Sequence, residues 1–463
     1  MKVARLYSFN DIRIEDIPLP EVGPGDALLK TRASGICSGD VMPWYIEKKA
    51  PLVLGHEPAG EIVELGSSLV TRHPTFSVGD RVFTHHHAPC LTCRHCRRGD
   101  HVQCETWKNT KIIPGGISEY ILIPEINLKN DTLKLPENVS FEDGTLVEPT
   151  ACVLKGLKRA GFKFKNSSPK GTPHPRIEYG AGSNPLPQGE RGQSEVFPLQ
   201  EERGLLDSFA PEEERKNSDL FFPARGESYN PTRPPLNLRG GKEGLSLDGK
   251  PLLHFPSLDG NASHTSPSLE GRGVGEGDVF LSGSTVLVIG LGVMGQLHVL
   301  VAKRLGAERV IGADKVQYRL QKAKEFGADD IIDISKENLV SSLKKITNGE
   351  MADLVIVGPN SVEAMQEGLS AAGAGGTVFF FTPAKPGEKL LIDPNDLYFK
   401  DINIVTSYSC GPVETREALM LIEEGVVSAE KLVTHRFPIE KTAEAFRLTA
   451  EARDSLKVVI TFE

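Results

Sequence analysis

The sequence predicts an α/β chain in which a compact, mostly antiparallel β domain precedes a doubly wound parallel sheet, with a long low-complexity insertion between them. Three observations carry this. Residues 1 to about 150 hold short β-like runs broken by Gly and Pro, such as Gly25–Lys30, Gly60–Gly66 and Gly79–Phe83. Residues 284 to about 425 alternate strand-like runs (Thr285–Ile289, Arg309–Ile311, Asp353–Val357, Thr377–Phe381) with helix-like segments, the βαβ pattern of a parallel sheet. Between them, the window 166–277 holds 14 of the 32 prolines and 16 of the 46 glycines, and apolar periodicity never persists there. Such a composition, without a collagen-like period, points to disorder.

Length and charge bound the rest. At 463 residues the chain has room for about three domains, or for two once the window is set aside. An apolar fraction of 39% is enough for sizeable cores. The net charge of -9 comes from scattered acidic residues, which excludes a nucleic-acid footprint or a polybasic membrane patch. The start, MKVARLYSFN, has no apolar signal core, and no window reaches about eighteen continuous apolar residues. The expectation is a cytoplasmic protein with no nucleic-acid or membrane partner.

The domains expected are 1–155, then the insertion 166–277, then 284–430. Residues 431–463 carry one more helix-like segment and an apolar strand, Leu456–Ile460. Within the insertion three pieces resemble one another, beginning at Asn184, Pro234 and Ser266. Such a segment is either a tethered regulatory arm or a repetitive element lodged in a tolerant surface loop.

The run Val286–Ile289 leads into Gly290-Leu291-Gly292-Val293-Met294-Gly295, a G-x-G-x-x-G with a strand before it and a helix-like segment after. Gly290 permits a tight turn, Gly292 lets backbone N–H groups near Val293 and Met294 approach a pyrophosphate, and Gly295 allows close helix packing. Asp314 ends the next strand-like run about twenty residues on, where a carboxylate accepts the ribose hydroxyls of NAD and repels a 2′-phosphate. Lys315 and Arg319 beside it temper that preference for NAD.

Seven cysteines are present, and four fall within fifteen residues: Cys90, Cys93, Cys96 and Cys104. Arg94, Arg97 and Arg98 favour their thiolates. Four thiolates close a tetrahedral zinc and leave no place for substrate, so this is expected to be a structural site. His95 and His101 are surplus to it, and the run His85–His87 reads as a strand end or cleft lining.

A second constellation is dispersed: Cys37 in Gly-Ile-Cys-Ser-Gly-Asp, His56 and Glu57 in Gly-His-Glu, and Glu148 in Val-Glu-Pro. With the cysteine lobe, the glycine fingerprint and the domain order, these residues resemble the zinc-containing medium-chain alcohol, polyol and threonine dehydrogenases over the whole chain except the insertion. Glu148-Pro149 with Ala151-Cys152 looks most like the polyol (sorbitol-type) branch. The resemblance implies a GroES-like catalytic domain completed by the C-terminal return 431–463, a Rossmann domain, and two zinc ions, one structural and one catalytic. It implies Cys37 and His56 as catalytic-zinc ligands, Glu57 and Glu148 as the third ligand and an exchangeable or proton-handling partner, and Asp40 as the carboxylate orienting the histidine. It implies hydride transfer between a secondary alcohol, polyol or amino alcohol and NAD, the zinc acidifying the alcohol. A homodimer joined at sheet edges near Thr377–Phe381, or a homotetramer, is implied as well.

The sequence departs from the family at one point. The hydroxyl usually two residues past the cysteine is replaced by Gly39, and Ser38 precedes it, so the proton passes through Ser38 by a shifted turn or through Glu148 and water. Two rival functions are a zinc-free quinone reductase of the same superfamily, which has no use for the cysteine lobe, and an inactive NAD-binding scaffold disrupted by the insertion. Trp44, Tyr45, Thr106 and Trp107 are either pocket lining or ordinary packing. Limited proteolysis is expected to cut first within 166–277 and to leave NAD binding intact; early cuts elsewhere contradict the reading of that window.

Overall fold

The run Thr285–Ile289 is TVLVI, with no polar face to offer water, and it becomes an inner strand buried on both sides. Val286 and Val288 point into one hydrophobic cluster, and Leu287 and Ile289 into another. In this computed structural model, which describes residues 1–68, 76–162 and 283–463, six parallel strands form the sheet. Their spatial order is Asp330–Asp333, Arg309–Asp314, Thr285–Ile289, Ala352–Val357, Ala372–Phe380 and Asn403–Thr406. Numbered along the chain this is 3-2-1-4-5-6, the Rossmann order, with the strand order reversing beside Thr285–Ile289. The first cluster takes Leu297 and Val301 from the helix Val293–Arg304, and the second takes Leu339 and Leu343 from Leu339–Ile346, so helices cover both faces.

Two strands were absent from the sequence reading, and one expectation is corrected. Asp330–Asp333 has a carboxylate at each end, and Asn403–Thr406 is half exposed; neither shows the apolar run of a central strand. Thr377–Phe381 was expected at the sheet edge. The strand there, Ala372–Phe380, is paired on both sides, and the edge is Asn403–Thr406.

The N-terminal region forms a GroES-like arrangement of mostly antiparallel strands, with Val433–Pro438 parallel to Lys457–Thr461. The larger sheet runs Val433–Pro438, Lys457–Thr461, Ala27–Gly35, Glu57–Leu65, Arg81–Thr84 and Thr132–Lys134, with Tyr120–Ile123 also on Ala27–Gly35. A smaller sheet joins Asp11–Asp16, Lys2–Ser8 and Leu52–Val53. The last strand enters by pairing Val459 to Gly35 and Thr461 to Ala33. The insertion 166–277 lies outside the described residues. No described helix is long and apolar enough to cross a membrane.

The helix Val147–Arg159 connects the two regions and packs on Pro412–Glu423 and on the parallel sheet. Gly156 makes the approach possible: a Cβ there would overlap the ring of the buried Phe379. Gly156→Ala is therefore expected to lower stability by about 1–3 kcal/mol despite its better helix propensity. An unchanged urea midpoint would show that the helix does not rest on Phe379.

Candidate active site

Two strand ends build the first part of the site. Gly35 pairs with Glu57 in the antiparallel ladder, so the turn after Gly35 and the residues before Glu57 meet at one edge. That turn is closed by Asp40 N–H to Cys37 O at 3.1 Å and Met42 N–H to Gly39 O at 3.2 Å. It brings Cys37 Sγ, a ring nitrogen of His56 and a carboxylate oxygen of Glu57 within 4.8 Å of one another. His56 Nδ1 faces Asp40 Oδ2 at 3.2 Å, which turns Nε2 toward the cysteine side. Burial alone would depress the His56 pKa, but the charges of Asp40 and Cys37 hold it well above its usual value.

Glu57 is wholly buried, and its Oε2 forms an ion pair with Lys457 Nζ. Lys457 also donates to Ile36 O at 3.1 Å. Burial raises the Glu57 pKa while Lys457 and His56 oppose it. The other oxygen, Oε1, is buried with no partner. An orphaned carboxylate oxygen beside a thiol and an oriented imidazole is a donor set that fits zinc and leaves a fourth position open.

Gly39 N–H points to Cys37 Sγ at 3.3 Å. A Cβ on Gly39 would stand 3.5 Å from that sulfur, whereas Ser38 is exposed.

The cysteine lobe is already shaped for a metal. Cys93 and Cys96 sulfurs are 3.5 Å apart, Cys90 and Cys104 3.6 Å, and Cys90 and Cys96 4.0 Å. The edge of a tetrahedron with ~2.3 Å zinc–sulfur bonds is ~3.8 Å. Backbone N–H groups of Cys90 and Cys93 point at sulfurs, and the Cys90 thiol is lowered to about 5, with hydrogen bonds from Thr92 and Cys93 outweighing burial. His95 is exposed, and His101 is buried next to Gly411.

The cofactor side follows the glycine fingerprint. Gly290 has φ +84°, and a Cβ on Gly295 would overlap Gly290 O, so both glycines are obligatory. Gly292 caps the helix Val293–Arg304 without a side-chain bond, and nothing lies within 4 Å of where its Cβ would be. The open cradle and the free N–H groups of Val293 and Met294 fit a pyrophosphate. Asp314 is buried and accepts Leu291 N–H at 2.7 Å and Val316 N–H at 2.8 Å. Arg319 donates to Ala452 O and lies 3.7 Å from Asp314.

Glu148 stands in the first turn of Val147–Arg159, close enough to Glu57 for its charge to raise that carboxyl's pKa. Its carboxylate lies within 4.8 Å of a His85 ring nitrogen and Cys410 Sγ, and Cys152 Sγ–H donates to Oε1 at 3.2 Å. From His56 a row of rings continues through His86 (6.3 Å between centroids), His87 (4.5 Å) and Trp107 (4.2 Å) to Tyr408 (6.1 Å). Burial lowers His86 well below its usual value and His87 to about 4, so both imidazoles are neutral.

Residues 23–137 match the alcohol dehydrogenase GroES-like domain family, and residues 293–424 match the zinc-binding dehydrogenase family. The chain belongs to the zinc-containing medium-chain alcohol and polyol dehydrogenases. It is 25% identical to an L-threonine 3-dehydrogenase of Rhizobium etli, over 96% of this chain and 94% of the relative, and 26% identical to the sorbitol dehydrogenase of Ovis aries, over 97% and 93%. Among solved structures, the 2R,3R-butanediol dehydrogenase of Bacillus subtilis aligns with a TM-score of 0.65 at 20% identity, covering 100% of this chain and 99% of its own. A zinc-binding dehydrogenase of Sinorhizobium meliloti bound to NADP aligns with a TM-score of 0.66 at 21% identity, covering 100% and 99%. This dehydrogenase is accordingly an enzyme, a zinc-dependent oxidoreductase that pairs an alcohol with a nicotinamide cofactor. The quinone-reductase and inactive-scaffold readings are not favoured.

Sequence reasoning missed Lys457, His85 and Cys410. A lysine inside the apolar run Leu456–Ile460 was the available signal, since a strand buried there tolerates an ammonium only beside a carboxylate. Lys457→Met is expected to remove about 3–5 kcal/mol from the metal-stripped dehydrogenase, and adding Glu57→Gln should restore most of it. Additive urea shifts in the double variant would show that the two groups do not compensate each other.

Proposed function

We propose that this dehydrogenase oxidises a secondary alcohol or polyol with NAD, at a zinc held by Cys37, His56 and Glu57. The observation that carries the reading is the convergence of those three donors within 4.8 Å, with the Glu57 Oε1 left unpartnered. Bound there, zinc would supply Lewis acidity to the alcohol while NAD accepts the hydride. Asp40 keeps His56 in the tautomer whose Nε2 faces the metal, and Lys457 holds Glu57 Oε2 in an ion pair. Cys90, Cys93, Cys96 and Cys104 hold a second, structural zinc.

The proton leaves on the Glu148 side. Ser38 is exposed, and Gly39 offers no hydroxyl beside Cys37, whereas Glu148 is a buried carboxylate near Glu57, whose pKa it raises. The row from His86 to Tyr408 offers neutral, aromatic and hydrogen-bonding surface without a committed charge, which suits an uncharged hydroxylated substrate better than an acidic one.

NAD is favoured over NADP because Asp314 puts a carboxylate at the ribose position, and Arg319 is engaged by Ala452 O and Asp314 instead of standing ready for a phosphate. The edge Asn403–Thr406, unpaired on one side among the described residues, shares a surface cavity with the exposed Ile392 and Tyr398, and supports a homodimer formed by pairing that edge.

The deciding experiment is a cofactor-reduction screen over polyols, amino alcohols and simple secondary alcohols, each with NAD and NADP, with zinc counted in the same sample. The expected result is NAD reduction by a polyol or secondary alcohol, lost by at least ~10²-fold in Cys37→Ser with the structural zinc retained. Activity surviving removal of the Cys37 zinc would overturn the assignment, and a preference for NADP would overturn the role of Asp314.

A further inference from the structure

Outside the Cys37 group, His85, Cys410 and Glu148 come from three distant segments to one buried point. His85 follows the strand Arg81–Thr84, Glu148 opens the helix Val147–Arg159, and Cys410 precedes the helix Pro412–Glu423. We propose that these three residues form an additional transition-metal site, taking a zinc-class divalent cation through one imidazole nitrogen, one thiolate and one carboxylate oxygen.

Four features point to a cation. Their donor atoms lie within 4.8 Å of one another, by the same measure that gathers the four-cysteine lobe. His85 Nε2 and Cys410 Sγ are 3.8 Å apart, against ~3.6 Å for a nitrogen and a sulfur at tetrahedral angle on zinc with ~2.1 and ~2.3 Å bonds. His85 Nδ1–H donates to Asp131 Oδ2 at 2.7 Å, and Asp131 Oδ1 accepts Thr415 Oγ1–H at 2.6 Å. That chain of carboxylate to imidazole is how ligating histidines are oriented: it puts the proton on Nδ1 and the Nε2 lone pair toward the sulfur.

The fourth feature is burial. Cys410 is 0% exposed, His85 2% and Glu148 7%, so water does not solvate the donors. Asp131 and Glu148 place two carboxylates around His85, and the nearby buried ammonium, Lys155, donates to Tyr408 O at 2.7 Å. A divalent ion is the counter-charge such a mixed N, S and O set accommodates, and its thiolate and imidazole select zinc over magnesium or calcium.

The site uses none of Cys37, His56 or Glu57 and so stands apart from the catalytic assignment, sharing only the Glu148 carboxylate with its proton route. A metal there would keep Glu148 ionised and fixed, and would lower its basicity.

The test is metal counting by mass spectrometry on the full-length protein, equilibrated with zinc and passed through a desalting column. The expectation is three zinc per chain in the wild type and two in each of Cys410→Ala, Cys93→Ser and Cys37→Ser. Cys410→Ala combined with Cys93→Ser should hold one. Far-UV circular dichroism checks folding, and His85→Gln, also expected at two, replaces Cys410→Ala if that variant is misfolded. No loss of zinc relative to wild type in folded Cys410→Ala or His85→Gln overturns the site and leaves a thiol–imidazole hydrogen bond in its place. A catalytic assignment that failed would show separately, as a Cys37→Ser count equal to wild type.

Discussion

The buried ion pair between Glu57 and Lys457 is the constraint around which the catalytic side is arranged. Glu57 opens one strand, Lys457 opens the last strand of the chain, and Gly35 lies between them in the same sheet. A Cβ on Gly35 would overlap both Glu57 Oε2 and Lys457 Cε, so the two charges meet only because that position has no side chain. Such a pair contributes little net stability, since desolvation offsets most of the attraction. Its value is positional. It forces the C-terminal strand into register and holds one carboxylate oxygen, leaving the second aimed at Cys37 and His56.

That constraint explains why the chain must return to its first domain after completing the second. Residues 457–461 supply both a strand and the counter-ion of the site. The helix Val147–Arg159 makes the opposite connection, leaving the first region with Glu148 in its opening turn and lying against Phe379 by way of Gly156. Arg159 Nε donates to Thr406 O at 2.8 Å and Lys155 Nζ to Tyr408 O, which ties the far end of the helix to the edge strand and the segment after it. One helix and one strand therefore hold Glu148 and Glu57 where they stand.

Much of this was legible in the sequence, because local chemistry wrote it. TVLVI followed by the spaced glycines is a strand, turn and helix on propensity alone, and C-x-x-C-x-x-C folds its own lobe. Cys37, His56 and Glu57 were legible only through resemblance, since no spacing rule joins residues nineteen apart. What stayed hidden was tertiary. Asn403–Thr406 is a strand only because Ala372–Phe380 offers it a ladder, and without that ladder its half-exposed residues carry no signal. His85 read as a strand end until Asp131 and Cys410, 46 and 325 residues away, were seen against its two nitrogens. Glu148 was expected with Cys37, and the fold gathers its carboxylate with His85 and Cys410 while keeping it close enough to Glu57 to raise that carboxyl's pKa.

The loss of a hydroxyl at Gly39 follows the same logic. A side chain there would stand over Cys37 Sγ at ordinary contact distance, so no clash excludes serine or threonine. The glycine is not required by backbone strain either, since it is not among the positive-φ residues. A relay that sterics permit and the sequence omits is one the chemistry does not need. On the proposed route Glu148, buried and supported by the Cys152 thiol, would make it dispensable, since a carboxylate near Glu57 can take the proton by way of water and its basicity is set by what surrounds it. The proton route and the His85 cluster are then one structural decision, because whatever holds Glu148 in place also determines how readily it takes the proton.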